Sequence, residues 1–203
     1  MKFYDSIGPN PRMVRMVMAE KGVTLPTETI DIRAGVNRSG DYIKKVPTGG
    51  TPALELDDGS IVSEITVIAE YLEELHPAPA LIGTTPEQRA ETRKWVRIID
   101  LGYCETMANG FRATQGRPMF DGRFPLASKS AGEELKAIAA KKLLWLDALM
   151  SGDFVCGDRL SLADILLFCF VEFGAQVGQP VPAGATWLPA WHQRIAARPS
   201  AAA

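Results

Sequence analysis

Pro52 stands where a strand is expected to begin, and this placement has chemical consequences. It directly precedes Ala53-Leu54-Glu55-Leu56, an alternating run that predicts a β-strand. Because proline has no backbone N–H, it cannot donate to a sheet ladder. The interruption could instead leave the N–H and C=O of Thr51 unpaired. An extended peptide can pair with main-chain groups that are exposed beside a strand in this way. The alternative is an edge strand that begins with proline and has no further role.

The chain's own sulfur atoms offer little chemistry. Cys104, Cys156 and Cys169 are odd in number and widely spaced, and they form neither a C-x-x-C pair nor a zinc-like grouping with His76 and His192. We expect small, buried or half-buried thiols. Sulfur chemistry would then need a thiol brought from outside, and no metal is implied.

Composition argues against two classes of partner. The 203 residues carry 22 basic and 24 acidic side chains, interspersed, so no basic stripe is available to a nucleic acid. The apolar run over residues 165–171 is far shorter than the ~20 residues that span a bilayer. The N-terminus lacks the basic and apolar regions of a signal peptide. We therefore expect a cytoplasmic protein that binds neither nucleic acid nor membrane.

The elements that would position Thr51 follow from hydrophobic periodicity. Residues 1–5 and 27–32 predict strands on either side of a helix over residues 11–21, which is a parallel strand-helix-strand unit. A short helix near residues 40–45 is followed by two short strands, 53–56 and 60–62, around the turn Asp57-Asp58-Gly59. A helix over residues 64–75 ends before Pro77.

A proline-rich stretch divides the chain. Residues 77–86 (PAPALIGTTP) have no periodicity and predict a linker. The patterns beyond it are helical, over residues 86–113, 130–150, 161–177 and 188–198. We therefore predict an α/β domain over residues 1–76, a linker over 77–86 and an all-α domain over 87–203.

One motif in the second half has a structural explanation. Ser161 and Asp164, within GDRLSLADILLF (residues 157–168), have the spacing of a capping box, in which each side chain bonds to the backbone N–H of the other residue. Leu160 and Ile165 are spaced as a hydrophobic staple. The motif predicts the start of a buried helix.

Several motifs together resemble a known family. The strand-helix-strand unit followed by PTGGTPAL, DDGS and SEITVIAEYL (residues 47–54, 57–60 and 63–72) resembles the thioredoxin-like N-terminal domain of the cytosolic glutathione S-transferases. The helical remainder resembles their C-terminal domain, which carries a Ser/Thr-x-x-Asp signature. The resemblance implies a homodimeric enzyme that conjugates the thiolate of glutathione, its co-substrate, to small electrophiles, which is the chemistry of detoxification.

The same resemblance implies a set of glutathione contacts. The Thr51-Pro52 bond would be cis, and Thr51 would offer its backbone N–H and C=O to the cysteine portion of glutathione, bound like an added antiparallel strand. Glu64 and the backbone N–H of Ile65 would receive the γ-glutamyl end at the positive end of a helix dipole. Val46 would be a neighbouring backbone contact. The family often has serine after the acidic residue, and Ile65 lacks that hydroxyl.

The residue that would activate the thiol is left open. Many family members have Ser, Thr or Cys at a position in the first loop that corresponds here to Gly8, which has no side chain. Asn10 could donate a hydrogen bond to the thiolate instead, as in some bacterial members with disulfide-directed activity. Ser6 and Tyr4 are the other candidates. Asn10 could also be a helix N-cap followed by Pro11 at the first helical position.

The sequence says least about which residues would contact the second substrate. The resemblance places it between the two domains against Tyr103, Met107 and Phe111, with Met119 or Phe120 as further lining. Such side chains are also typical of an ordinary core.

Two alternatives to conjugation remain open. Glutathione-dependent disulfide-bond reduction is suggested by Asn10 in place of a hydroxyl. A non-catalytic binding or interaction module with the same fold is suggested by Gly8 and Ile65.

Overall fold

The first part of the chain forms a mixed four-stranded sheet with helices. The computed structural model describes all 203 residues, and its strands lie in the order β2-β1-β3-β4. β1 is parallel to β2, whereas β3 is antiparallel to both β1 and β4. The elements are β1 (Lys2–Asp5), α1 (Pro9–Glu20), β2 (Thr27–Thr29), α2 (Gly40–Lys45), β3 (Ala53–Glu55), β4 (Ile61–Ser63) and α3 (Ile65–Leu75). The predicted thioredoxin-like α/β unit is confirmed.

The remainder of the chain is helical, as predicted. The helices are α4 (Pro86–Ile99), α5 (Glu105–Ala113), α6 (Arg117–Phe120), α7 (Lys129–Leu149), α8 (Leu162–Gln176) and α9 (Leu188–Ala196). The predicted helix over residues 86–113 is divided into α4 and α5 by a π-helical turn, Asp100–Cys104. No helix in the structure combines the length and apolar character that crossing a membrane requires.

The chain groups into two compact units, residues 1–82 with 198–203, and residues 83–197. The last six residues therefore belong to the α/β unit, whereas the division predicted from the sequence assigned them to the helical domain. The physical reason is Glu20, whose carboxylate accepts two hydrogen bonds from Arg198, at 2.7 and 2.8 Å, and one from Ser200. The Arg198 guanidinium holds the pKa of Glu20 below its ordinary value.

A buried ion pair fixes the end of the α/β unit. Lys21 and Glu73 approach to 2.5 Å, and their side chains are 0% and 2% exposed. Burying two charges is costly unless further hydrogen bonds satisfy both groups. Four backbone groups do so here, namely the carbonyls of His76 and Pro79 and the N–H groups of Leu81 and Ile82. Residues 79–82 of the stretch predicted as a linker are therefore anchored to α3 and to Lys21, which follows α1.

The predicted capping box begins α8. One oxygen of the buried Asp164 carboxylate accepts from the Ser161 N–H at 2.9 Å and from the Ser161 hydroxyl at 2.7 Å. The other oxygen accepts from the Val155 N–H at 2.8 Å and the Trp191 indole N–H at 2.9 Å. Asp164 therefore connects the start of α8 to the preceding loop and to α9, which is more than a cap requires.

We expect Asp164→Ala to lower the free energy of unfolding by about 3 kcal/mol, because it leaves buried donors of Val155 and Trp191 unpaired. Ser161→Ala should cost about 1 kcal/mol, the usual loss for an N-cap hydroxyl. Urea denaturation followed by circular dichroism measures both. Asp158→Ala, which removes an exposed carboxylate from the same loop, is the control. Equal losses in all three variants would contradict this role for Asp164.

Candidate functional site

Three segments of the α/β unit meet at one end of the sheet. β1 pairs with β3 through Tyr4 and Ala53, and β3 pairs with β4 through Ala53 and Ser63. Because both pairings are antiparallel, the residues that follow β1, precede β3 and follow β4 leave the sheet at the same end. The first loop, the Thr51-Pro52 dipeptide and the start of α3 therefore lie side by side.

The backbone N–H and C=O of Thr51 are unpaired within the protein. Its bond to Pro52 is cis, as the resemblance implied. β3 begins only at Ala53, and neither the N–H nor the C=O of Thr51 has a hydrogen-bond partner in the chain. Pro52 is buried and Thr51 is half-buried. An unpaired peptide group at the end of a strand can receive the main chain of an extended ligand.

The start of α3 offers both an acceptor and donors. Glu64 is the N-cap, and its exposed carboxylate has no partner in the chain. No side chain caps the first turn, so the N–H groups of Ile65 and Thr66 remain free at the positive end of the helix dipole. Within one helical turn, the protein can therefore bind an ammonium group and a carboxylate.

Glu64 also has an unusual backbone conformation. Its φ of 69° and ψ of 122° make it the only residue other than glycine with positive φ in this structure. Such conformations cost roughly 1–3 kcal/mol and persist where the surrounding structure enforces them, often at ligand sites. No pattern in the sequence indicates this conformation.

The backbone conformation of Gly8 explains why no residue with a hydroxyl or thiol stands at this position. Gly8 is the N-cap of α1, with φ 106° and ψ 177°. A Cβ at this position would meet no atom within 4 Å, but side-chain-bearing residues rarely adopt this φ. The backbone of the loop, and not a shortage of space, therefore favours glycine.

Asn10 remains available as a donor. The interpretation of Asn10 as an N-cap is wrong, because α1 begins at Pro9 and Asn10 is its second residue. Pro9 and Pro11 have no N–H, so Asn10 carries the one backbone N–H of the first three helical residues. Its side chain is half-buried and makes no hydrogen bond within the chain. Its amide can therefore donate to a ligand.

Ser6 is engaged elsewhere. It is buried, and its hydroxyl donates to the Ile30 carbonyl at 2.8 Å. The proton that would have to be offered to a thiolate is therefore already used, and this geometry gives Ser6 a structural role.

Tyr4 is also engaged elsewhere. Its ring packs edge-to-face on Tyr42, with 5.5 Å between ring centroids, in a small cluster under α2. Its hydroxyl donates to Glu55 and accepts from Lys45 at 2.9 Å. The hydrogen bonds with Glu55 and Tyr4 raise the pKa of Lys45. Tyr4 therefore completes an internal polar network, and its hydroxyl is not free for a ligand.

The backbone of Val46 is already paired. Its N–H donates to the Tyr42 carbonyl and its C=O accepts from the Gly49 N–H, both at 2.8 Å. Only the second lone pair of its carbonyl remains for a ligand, so a glutathione contact at Val46 stays a prediction. No pattern in the sequence indicated two nearby side chains, Asn37 and Tyr42, that bond to the loop before Thr51.

The residues proposed for the second substrate lie in the helical unit. Tyr103 and Met107 are buried, and burial raises the pKa of the Tyr103 hydroxyl. Phe111 is half-buried and packs edge-to-face against Phe120 and Phe173, with centroid distances of 6.1 and 5.2 Å. This packing is also that of an ordinary core, and a substrate contact at these residues stays a prediction.

The protein's own thiols are poor nucleophiles. Cys104, Cys156 and Cys169 are free and buried, and burial raises the pKa values of Cys104 and Cys156. The structure contains no group of three or more His, Cys, Asp or Glu side chains that could hold a metal ion.

We expect Glu64→Gly to raise the free energy of unfolding by about 1 kcal/mol, because relief of the positive-φ conformation exceeds the greater flexibility of glycine in the unfolded chain. Glu64→Gln retains the side-chain size and should change stability by less than about 0.5 kcal/mol. Urea denaturation of both variants and the parent measures these differences. If the free energy of unfolding of Glu64→Gly were no higher than that of Glu64→Gln, the backbone of Glu64 would not be strained.

Comparisons with known proteins agree with this architecture. The family model described as "Glutathione S-transferase, N-terminal domain" matches residues 7–75, and "Glutathione S-transferase, C-terminal domain" matches residues 118–199. A glutathione S-transferase domain-containing protein of Marinobacter aquaeolei VT8 is 32% identical, with a TM-score of 0.91 over 98% of this chain and 99% of that one. Gtt2 of Saccharomyces cerevisiae is 30% identical, with a TM-score of 0.91 over 98% of both chains.

A relative of another kind is also similar. Elongation factor 1-gamma of Schizosaccharomyces pombe is 32% identical over 85% of this chain, but the match covers only 40% of that factor's length. Both family models and the near full-length likeness to the Marinobacter and yeast proteins agree on an α/β unit followed by a helical unit. The chain belongs to the glutathione S-transferase family.

Proposed function

We propose that the protein is a glutathione transferase that conjugates the thiolate of glutathione to small electrophiles. The observation that carries the proposal is the unpaired backbone of Thr51, which lies beside the uncapped start of α3 at one end of the sheet. An extended peptide would pair with the Thr51 backbone, and a group that carries both an α-ammonium and an α-carboxylate would bind at the start of α3. Glutathione, an extended tripeptide with a γ-glutamyl end, combines both.

The proposed contacts divide the ligand between two elements. Thr51 would donate its N–H and accept at its C=O, pairing with the cysteinyl residue. Glu64 would accept from the α-ammonium group, while the N–H groups of Ile65 and Thr66 would donate to the α-carboxylate. The absence of a hydroxyl at Ile65 removes one side-chain hydrogen bond and leaves these backbone donors intact.

Asn10 is the residue that we propose for thiol activation. Its amide can donate to sulfur, and the positive end of the α1 dipole adds to the effect, so both favour the thiolate over the thiol. In conjugation, a bond forms between the sulfur and an electrophilic carbon, and the leaving group departs with the electron pair of its broken bond.

Two other functions have support from particular observations. Disulfide-bond reduction by glutathione is favoured by an amide, instead of a hydroxyl, as the thiolate donor. A non-catalytic binding module is favoured by Gly8 and by the likeness to elongation factor 1-gamma. A calorimetric titration with glutathione, followed by assays with an aryl halide, a peroxide and a mixed disulfide, separates the three functions.

We expect the parent protein to bind glutathione and to turn over the aryl halide faster than the mixed disulfide. The reverse order would favour reduction. Binding without turnover would favour the non-catalytic module, and no binding at millimolar glutathione would contradict both enzymatic functions.

We expect Asn10→Ala to lower kcat about tenfold with little change in glutathione affinity, because the amide contacts the sulfur and a hydrogen bond to a charged group is worth about 1.5 kcal/mol or more. The pH at which activity is half-maximal should rise, since less thiolate forms at a given pH. Ser6→Ala is the matched control, because its hydroxyl is bonded to Ile30. An unchanged pH profile in Asn10→Ala would contradict its role.

We further propose that the protein is a homodimer that uses the outer face of α7. Ile138, Trp145 and Leu149 share that face and are 45%, 49% and 50% exposed. Trp145 and Leu101 line a cavity of about 350 Å³ that also includes Ile98. Exposed apolar side chains grouped on one helix face are typical of a protein interface. The membership of the family supports a second copy as its partner.

We expect Trp145→Lys to convert the dimer to a monomer, since it replaces a large exposed apolar side chain of the proposed interface with a second charge beside Lys142. Sedimentation velocity over a range of protein concentrations measures the change. Val36→Lys replaces an apolar residue that is 42% exposed in the α/β unit, and it should remain dimeric. A monomeric parent, or equal dissociation of both variants, would contradict the proposed interface.

A further inference from the structure

The loop before Thr51 is held by side chains from one neighbouring segment. The Arg38 guanidinium donates to the Thr48 carbonyl at 3.1 Å, and the Asn37 amide donates to the Gly49 carbonyl at 2.6 Å. The Tyr42 hydroxyl donates to the Gly50 carbonyl, also at 2.6 Å. Three consecutive carbonyls are therefore anchored, and the next residue is Thr51, whose own backbone N–H and C=O are both unpaired.

The loop needs such anchors because of its composition. Gly49 and Gly50 are adjacent, and glycine loses more conformational freedom on ordering than any other residue. A binding strand that had to be ordered by its ligand would lose affinity by that cost. Anchoring the two carbonyls before Thr51 orders the strand in advance.

Packing at Gly49 fits this interpretation. Its φ is +62°, and an added Cβ would lie 2.9 Å from both the Arg38 Cδ and the Asn37 carbonyl oxygen. The loop and the anchoring segment are therefore in close contact, with no room for a side chain at residue 49.

The anchors themselves are built in. Tyr42 is buried, and burial raises its pKa to about 12, so the hydroxyl remains a donor through the neutral range. Asn37 is buried, and its Oδ1 has no hydrogen-bond partner. An unsatisfied buried acceptor lowers stability, so stability alone does not account for an asparagine at this position.

We propose that Asn37 and Tyr42 are positioning residues for glutathione binding, which fix the orientation of the Thr51 backbone through the carbonyls of Gly49 and Gly50. The inference rests on the proposed function. Neither side chain has to touch the ligand, and neither is near the thiol in the proposed arrangement. Their effect should therefore fall on glutathione affinity and not on the rate of the chemical step.

The test uses Tyr42→Phe, which removes only the hydroxyl. We expect the glutathione Kd, measured by calorimetry, and the KM for glutathione to rise about threefold to tenfold, the value of one hydrogen bond. The kcat at saturating glutathione should be unchanged. Amide hydrogen exchange in the unliganded protein should become faster over residues 47–51 and stay the same over β3. Asn37→Ala should act in the same direction.

Tyr71→Phe is the matched control, because the Tyr71 hydroxyl has no hydrogen-bond partner in the chain, and it should leave all four measurements unchanged. Unchanged glutathione affinity in both Tyr42→Phe and Asn37→Ala would overturn the positioning role while leaving the proposed function intact. If Tyr42→Phe lowered the apparent kcat only as much as it lowered the fraction of folded protein, with KM unchanged, the role of Tyr42 would be structural and the positioning role would also be overturned. Failure of the parent to bind glutathione would overturn the proposed function first, and the positioning role with it.

Discussion

The antiparallel pairing of β3 with both β1 and β4 decides where the candidate site lies. Ala53 is opposite Tyr4 on one side and Ser63 on the other, so three segments far apart in sequence leave the sheet together. A shift of either register by one residue would turn every side chain of the shifted strand to the other face. The apolar residues of β3, which are buried, make such a shift costly and thereby hold the site in place.

Around this end of the sheet, polar groups divide into two kinds. The hydroxyls of Ser6 and Tyr4 and the backbone of Val46 are satisfied by the protein itself. The Thr51 backbone and the side chains of Glu64 and Asn10 are not. Since folded proteins satisfy most of their polar groups internally, a cluster of unpartnered ones beside well-satisfied neighbours marks a ligand site more sharply than residue type does.

Backbone conformation is the other feature of the site. Gly8 and Glu64 both have positive φ, and each is the N-cap of a helix. In the first case the conformation favours glycine, so a hydroxyl or thiol is absent from the position where the family often has one. In the second, a side chain is retained despite the cost. The two helices thus begin without a capping side chain, which leaves the first N–H groups of α3 and the single N–H of Asn10 in α1 free for a ligand.

Much of the architecture followed from patterns in the sequence, because hydrophobic periodicity and turn residues act locally. The α/β unit, the helical remainder, the cis Thr51-Pro52 bond implied by the family motif, and the capping box at Ser161 were all predicted. The π-helical turn at residues 100–104 and the return of residues 198–203 to the α/β unit were not. Both depend on packing between elements, and the second depends on Arg198 meeting Glu20 across most of the chain.

The sequence by itself determined the fold class and the family, and it predicted Thr51, Pro52 and Glu64 as site residues, since all of these follow from local patterns and motifs. Only the tertiary structure decided which candidate polar groups remain free. Ser6 and Tyr4 are as polar as Asn10, but they find partners in Ile30 and Glu55, and no pattern along the chain records those contacts. The roles of Asn37 and Tyr42 rest on the same reason, because a hydrogen bond between distant residues exists only once the chain has folded.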